Sequence, residues 1–470
     1  MSFFNELAHW DAVETAERIR RREVSRSEVL EAAIARAEEA APLGAVVTPS
    51  FEHARKVVAK RRGPLAGVPT FIKDLSQMQG VQTRWGSRGA GRFHSRKTDT
   101  SVRRIQAAGF VSLGKSATPE LGMTATTEPL GMLPCRNPWD PRLSPGGSSG
   151  GAGALVAAGV VPLAHASDGG GSIRIPASCC GLVGLKVTRG RMDVAGSTLL
   201  PLNVGVDGCV SRTVRDTVAF WESVERFRLP WRPPPIGRPA PEPPRALKIG
   251  LFVNSAHGTP VHPDNQKAAR DAGRLCEQLG HHVEEIGCPA SGSFTDDFLL
   301  YWGFMGWVQK LTARAVLHRD FDASQLEPWT RHIAKHASSA PFDTTRAMRR
   351  LRRFHHDYTE IMSHWDVLLS PTLASPPPEI GFLATDLPFE TKLERVREYA
   401  AFTPAQNVAG APAISLPLTR SSEGLPLGVQ FAAAVGQDRL LLELALQVEA
   451  AAPWQLMAPP AAWQPLAERD

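Results

Sequence analysis

The sequence predicts an α/β fold, and three observations carry that prediction. Short apolar runs of strand length alternate with segments of helical period along most of the chain. The 470 residues are 43% hydrophobic and 21% charged, which is enough apolar material for a large core and too much for a disordered chain. The 40 Gly and 39 Pro follow no collagen-like period, and the chain has no internal repeat.

The elements follow in order. The first 40 residues read as two helices. Asp11 caps the first, with Ala12, Ala16 and Ile19 on one face, and Ser27 caps the second, over 28–39. Residues 67–72 (GVPTFI) read as a short buried strand leading into Lys73 and Asp74. Residues 98–108 read as a helix and 110–113 as a strand, and the alternation continues to about residue 215. Eight prolines between Pro230 and Pro244 mark an extended crossing, bounded at about 229–246. Beyond it come a strand at 247–252, a helix at 264–279, a strand at 282–286 and a helix-rich stretch to about 364. Strands return at 367–370, 413–418 and 427–431, and a helix closes at 439–450.

Composition removes several function classes. Net charge is +6, from 53 Lys and Arg against 47 Asp and Glu, and the basic clusters at 20–22, 60–62 and 349–353 lack interleaved aromatics, so nucleic-acid binding is not expected. No apolar stretch reaches the ~20 residues of a membrane helix, and the N-terminus has no cleavable apolar core, so a cytoplasmic protein without membrane contact is expected. The six cysteines (135, 179, 180, 209, 276, 288) form no C-x-x-C, which suits buried thiols in a reducing compartment, with no disulfide framework, metal or cofactor.

Three patterns near the centre compete for the chemistry. Residues 109–116, GFVSLGKS, fit the phosphate-loop spacing, but the four intervening residues are mostly strand formers and no apolar helix follows. Residues 146–150, GGSSG, fit G-x-S-x-G, yet three prolines and no apolar run precede them, so Ser148 does not sit on a nucleophile elbow. His332 and His336 share a helical spacing without the Glu of H-E-x-x-H and read as exposed helix residues. The third pattern joins Ser172 to Lys73. Ser172 follows Gly169, Gly170 and Gly171, whose amides can converge on one point beside a helix start, where an oxyanion is stabilised. Its hydroxyl needs a base, and Lys73, after an apolar strand, is a candidate because desolvation disfavours the charged amine. Each residue taken singly has an ordinary reading, a flexible turn or a solvated lysine, and spacing alone does not select Lys73.

The residues GGSSGGAGA, then DGGGSIRIPA with its Ser 24 positions after the first Ser of the pair, then CGLVGLK, resemble the amidase signature family, and GVPTFIKDL matches that family's lysine motif. Further similarity runs through 113–122, 136–147, 211–216, 368–372, 407–418 and 425–430, nearly the whole chain. Within the family the chain is most similar to bacterial enzymes of unnatural linear or cyclic amides, such as 6-aminohexanoate cyclic-dimer hydrolases, and to urethane-cleaving members. The resemblance implies an α/β fold with a single large mixed β-sheet core flanked by helices on both faces. It implies one amidase domain over 1–470, with a signature core at about 60–225 and a helix-rich substrate side at about 290–365. It implies Ser172 as nucleophile, Ser148 as bridging serine after a cis peptide, Lys73 as base, and the amides of Gly169, Gly170, Gly171 and Ser172 as oxyanion hole, supported by Ser149, Asp168 and Arg174.

The expected function is hydrolysis of small or xenobiotic amides, anilides or carbamates, with esters on the same acyl-enzyme path and no cofactor. The partner is the small-molecule substrate; a homodimer is compatible with the sequence. A subunit of a tRNA-dependent amidotransferase and a Ser–His hydrolase using Ser148 are the alternatives. Met123, in 122–130, and Met305, in the apolar stripe 299–307, are the candidate substrate-binding residues, although that stripe reads first as core and only second as pocket. Two departures from the family pattern stand out. Val187 follows Lys186 where the family has Pro, and Gly169 replaces a larger residue, which loosens the loop or opens room for a bulky acyl group.

Overall fold

The computed structural model describes residues 3–227, 233–290 and 292–463. Its strands, in chain order, are β1 (Val46–Pro49), β2 (Pro69–Lys73), β3 (Val111–Ser116), β4 (Leu163–Asp168), β5 (Val183–Lys186), β6 (Val206–Ser211), β7 (Lys248–Leu251), β8 (His282–Glu285), β9 (Val367–Pro371), β10 (Ala413–Arg420) and β11 (Pro426–Ala433). Eight of them form one mixed sheet in the order β4-β6-β5-β10-β11-β9-β7-β8. Pairing is antiparallel from β4 to β9 and parallel from β9 through β7 to β8. Helices cover both faces, as expected of the α/β class. A smaller sheet, β1-β3-β2, stands beside it.

The two sheets meet at β2 and β4 through side chains. Thr70 Oγ1 donates to the Leu163 carbonyl at 3.0 Å, and the Lys73 amide donates to His165 Nδ1 at 3.2 Å. β2 to β6 and the helix Arg174–Cys180 are buried along their whole length, apart from the half-exposed loops between them. This is why the sequence reads there as nearly continuous apolar and small residues rather than alternation. Residues 109–116 lie largely in β3, with the Lys115 side chain inside the protein beside Asp74 at 3.4 Å, so the segment makes a strand and not a phosphate loop.

Asp11 caps the helix Ala12–Arg20, accepting from the Glu14 amide at 2.8 Å. The second cap differs from expectation. Ser25, not Ser27, starts the helix Arg26–Glu39, because Ser25 and Glu28 close a reciprocal capping box that Ser27, with Leu30 three residues on, cannot make. A short helix, Phe3–His9, precedes both. Residues 228–232 of the Pro-rich crossing lie outside the described residues; from 233 the chain runs without helix or strand to Lys248, tied down where the Ile236 amide donates to Glu225 at 2.8 Å. Among the described residues no helix is long and apolar enough to cross a membrane, and all six cysteines are free thiols.

The helix Gly150–Ala157 is buried on every side. Its glycines allow a backbone-to-backbone approach: a Cβ on Gly151 would lie 2.3 Å from the Ala117 amide nitrogen and 2.8 Å from the Ala45 carbonyl oxygen. Backbone atoms cannot swing aside, so Gly151→Ala should destabilise the fold by about 1–3 kcal/mol. Gly287→Ala, where an added Cβ meets nothing within 4 Å, should stay within about 0.5 kcal/mol of the parent. Urea titration of the two variants checks this, and equal midpoints would contradict the packing argument.

Candidate active site

Lys73 ends β2, and the strand carries its side chain into the interior, where it is 0% exposed. Nζ lies 2.8 Å from Ser148 Oγ, 3.0 Å from Ser167 Oγ and 3.4 Å from the Ser167 carbonyl. Burial pushes this amine down to about 7, against the pull of the Asp207 and Asp168 carboxylates in the other direction. At neutral pH it therefore holds a substantial neutral fraction, which is what a proton acceptor needs.

Ser148 follows a cis peptide bond to Gly147 and lies just before the helix Gly150–Ala157. Ser149 turns the other way: its Oγ donates to the Ser167 carbonyl at 3.2 Å and accepts the Ser167 amide at 3.3 Å, stitching the serine pair to β4. Among the described residues no histidine bonds Ser148; its hydroxyl partner is Lys73.

Asp168 ends β4 and organises the glycine loop that follows. Its Oδ1 accepts the Gly171 amide at 2.7 Å and its Oδ2 the Ile173 amide at 3.1 Å. Arg174 grips the same carboxylate through Nε and Nη2, each at 3.0 Å. Burial alone would raise this carboxyl, but Arg174, with help from Lys186 and Asn407, holds it well below the usual carboxylate range. The remaining Arg174 N–H groups go to Gln406 (3.1 Å), Gln430 (2.6 Å) and Asn407 (2.6 Å), so all five donors are satisfied inside the protein. Asn407 returns two bonds to Asp168, and Thr403 Oγ1 donates to the Gly170 carbonyl at 2.7 Å.

This network corrects one expectation. The Gly171 amide is committed to Asp168 and does not join an oxyanion hole in this arrangement. Gly171 is glycine for another reason: φ is +131°, and a Cβ would lie 2.3 Å from Thr403 Oγ1. Among the described residues no protein acceptor meets the amides of Gly169, Gly170 or Ser172, and these remain available to a ligand. Ser172 Oγ holds no hydrogen bond to Ser148 and opens on a pocket.

That pocket is mainly apolar and aromatic, formed by Met123, Ile175, Phe298, Leu299, Trp302 and Val396, with Thr124, Thr295 and Arg397 as polar members beside Ser172. Met123 lines it as expected, and its carbonyl accepts the indole N–H of Trp302 (3.0 Å) and of Trp329 (2.9 Å). Met305 does not line it. It is buried in the same apolar cluster as Phe298 and Tyr301, further along the long helix Phe294–Val316 than the pocket residues Phe298, Leu299 and Trp302. Gly169 does not open room: a side chain there would meet the Trp302 ring at 3.3 Å, and one at Gly170 would meet Phe298 at 2.9 Å.

Sequence reasoning gave no role to Ser167, Gln406, Asn407 or Gln430. Asn407 and Gln430 bound the matching segments 407–418 and 425–430, a signal that could have marked them; Ser167 and Gln406 carried none. Among the described residues no group of three or more His, Cys, Asp or Glu is arranged to hold a metal ion.

The family model described as Amidase matches residues 28–442. A Mycobacterium leprae protein named "Putative amidase AmiC" is 42% identical over 452 residues, covering 95% of this chain and 96% of its own length. The 6-aminohexanoate-cyclic-dimer hydrolase of a Pseudomonas species is 36% identical over 473 residues, 96% of either chain. The solved structure of a 6-aminohexanoate cyclic dimer hydrolase superposes with a TM-score of 0.87 at 35% identity, covering 95% of this chain and 98% of that one. A match of this extent, over a chain whose glycine loop and serine pair are tied together as described, means that the protein belongs to the amidase family and is a hydrolase of C–N bonds.

Proposed function

We propose that this amidase hydrolyses small, uncharged amides through an ester intermediate on Ser172, with Ser148 relaying protons and Lys73 as the base. The observation that carries the reading is the 2.8 Å contact between Lys73 Nζ and Ser148 Oγ at a fully buried amine. Neutral Lys73 takes the Ser148 proton as Ser148 takes that of Ser172. Ser172 Oγ attacks the carbonyl carbon, and the oxyanion is met by the free amides of Gly169, Gly170 and Ser172. Each such donor is worth ~2.7–4 kcal/mol of transition-state stabilisation. The protons return along the same path to the leaving amine, and water then releases the acid by the reverse relay. The Ser148–Ser172 link closes in the substrate complex, since catalytic hydrogen bonds commonly tighten only there.

The pocket chemistry supports an apolar or aromatic acyl group beside Trp302 and Phe298. Linear and cyclic amides, anilides and urethanes fit this description, and esters share the acyl-enzyme path.

The test is a panel of neutral anilides, carbamates, esters and short amides. Ser172→Ala and Lys73→Ala should each lower kcat by about 10³-fold or more, with mass spectrometry finding the acyl adduct on Ser172 in the parent. Retained turnover in Ser172→Ala would refute the assignment. The pH profile provides a second check. Lys73 is competent only when neutral, so kcat/KM should rise about tenfold per pH unit on the acid side and level off above about 7. A flat profile from pH 5 to 8 would exclude Lys73 as the base.

A further inference from the structure

The backbone of Lys73 is held by a residue that the relay does not use. His165, in β4, is 0% exposed, and its Nδ1 accepts the Lys73 amide proton at 3.2 Å. A ring nitrogen that accepts carries no proton, so the imidazole proton sits on Nε2. Nε2 faces Asp207 Oδ1 at 3.3 Å, too poorly aligned to make a hydrogen bond. Asp207 lies in β6, directly across the ladder from Ser167, as Cys209 lies across from His165. Cross-strand partners share a face, and residues two apart on a strand share one too. Asp207 and His165 therefore sit on the face of the sheet where Ser167 Oγ meets Lys73 Nζ.

Asp207 is unusual among the carboxylates here. It is 1% exposed, and neither of its oxygens takes a hydrogen bond among the described residues. The other buried carboxylates nearby are already compensated. Asp168 is gripped by Arg174, Asp74 lies beside Lys115, and Asp99 accepts the Gln77 amide. A buried carboxylate without donors costs several kcal/mol unless another charge offsets it. Besides His165, the amine on this face of the sheet is that of Lys73, and Asp207 exerts the largest single charge effect on it.

We propose that Asp207 and His165 are positioning residues for Lys73: His165 fixes the lysine main chain against β4, and the Asp207 carboxylate is the counter-charge for the ammonium formed when the serine proton is taken up. The proton passes from Ser172 through Ser148 to Lys73 and returns to the leaving amine. The inference rests on Lys73 being the base, as proposed above.

The test uses Asp207→Asn, His165→Asn and His165→Leu in the full chain, with Ser172→Ala and Lys73→Ala as references. Two quantities are followed against pH: kcat/KM on a neutral anilide, and the rate of Ser172 labelling by a fluorophosphonate. Removing the counter-charge makes Lys73 a weaker base, so Asp207→Asn should move the acid limb of both profiles down by about one pH unit and lower the plateau kcat about tenfold, with KM little changed. His165→Asn offers an oxygen near the Nδ1 position and should keep most of the activity that His165→Leu loses. A purely structural role for Asp207 would lower activity without moving the limb. If Asp207→Asn does not fold by circular dichroism, Asp207→Ser, which leaves room for water, should move the limb in the same direction. Coincident limbs in the parent and a folded Asp207 variant would overturn the proposal. Activity persisting in Ser172→Ala or Lys73→Ala would instead overturn the reading beneath it.

Discussion

An amine sealed from water at the end of a strand is the constraint around which this molecule is arranged. Burying a lysine costs free energy in its charged form, which pushes this amine down to about 7, where the proposed mechanism uses it as the base. Everything that touches Lys73 preserves that condition. β2 carries it inward, β4 presents Ser167 and His165 to it, and the turn at Gly147 and Ser148 brings a hydroxyl to 2.8 Å. Few of these contacts are local in sequence: Ser148 is 75 residues away, and His165 and Ser167 are 92 and 94.

A second buried charge holds the loop opposite. Arg174 and Asp168 form a closed ion pair whose spare hydrogen-bonding capacity is taken up by Gln406, Asn407 and Gln430. Buried pairs add little net stability when intact, but losing one member costs about 3–5 kcal/mol because the other charge is left alone. The pair therefore works as a registration device. It fixes the glycine loop relative to the segments at 403–407 and 430, and the amides that point outward are those left over once Asp168 has taken Gly171 and Ile173.

Local signals in the sequence were read well where one short segment decides the outcome. The Asp11 cap, the strand ahead of Lys73, the buried strand in GFVSLGKS and the Pro-rich crossing all follow from neighbouring residues. The second helix is capped two positions before Ser27 because a capping box needs an acidic residue three further on, which Ser25 has in Glu28 and Ser27 lacks. The site was legible through its motifs and only in part. No periodicity brings Lys73 to Ser148, and none reveals that Arg174 spends its donors on residues 232 to 256 positions away. The commitment of Gly171 to Asp168 was hidden for a different reason: three consecutive glycines look alike in sequence, and only the carboxylate three residues earlier distinguishes the last. In the stripe at 299–307, helical spacing puts Trp302 and Met305 on one face but does not say how far along the helix the pocket extends, and it reaches Trp302 and not Met305.

The indole of Trp302 and the ring of Phe298 rest directly against Gly169 and Gly170, whose amides meet the oxyanion in the proposed mechanism. In that mechanism the wall that sorts molecules and the cradle that bears the reaction's charge are one contact surface. Evolution cannot widen that side of the chamber for a new guest without also disturbing the cradle. Adaptation to unfamiliar compounds should instead accumulate at lining residues such as Val396 and Ala400, which are not among the groups packed nearest those glycines.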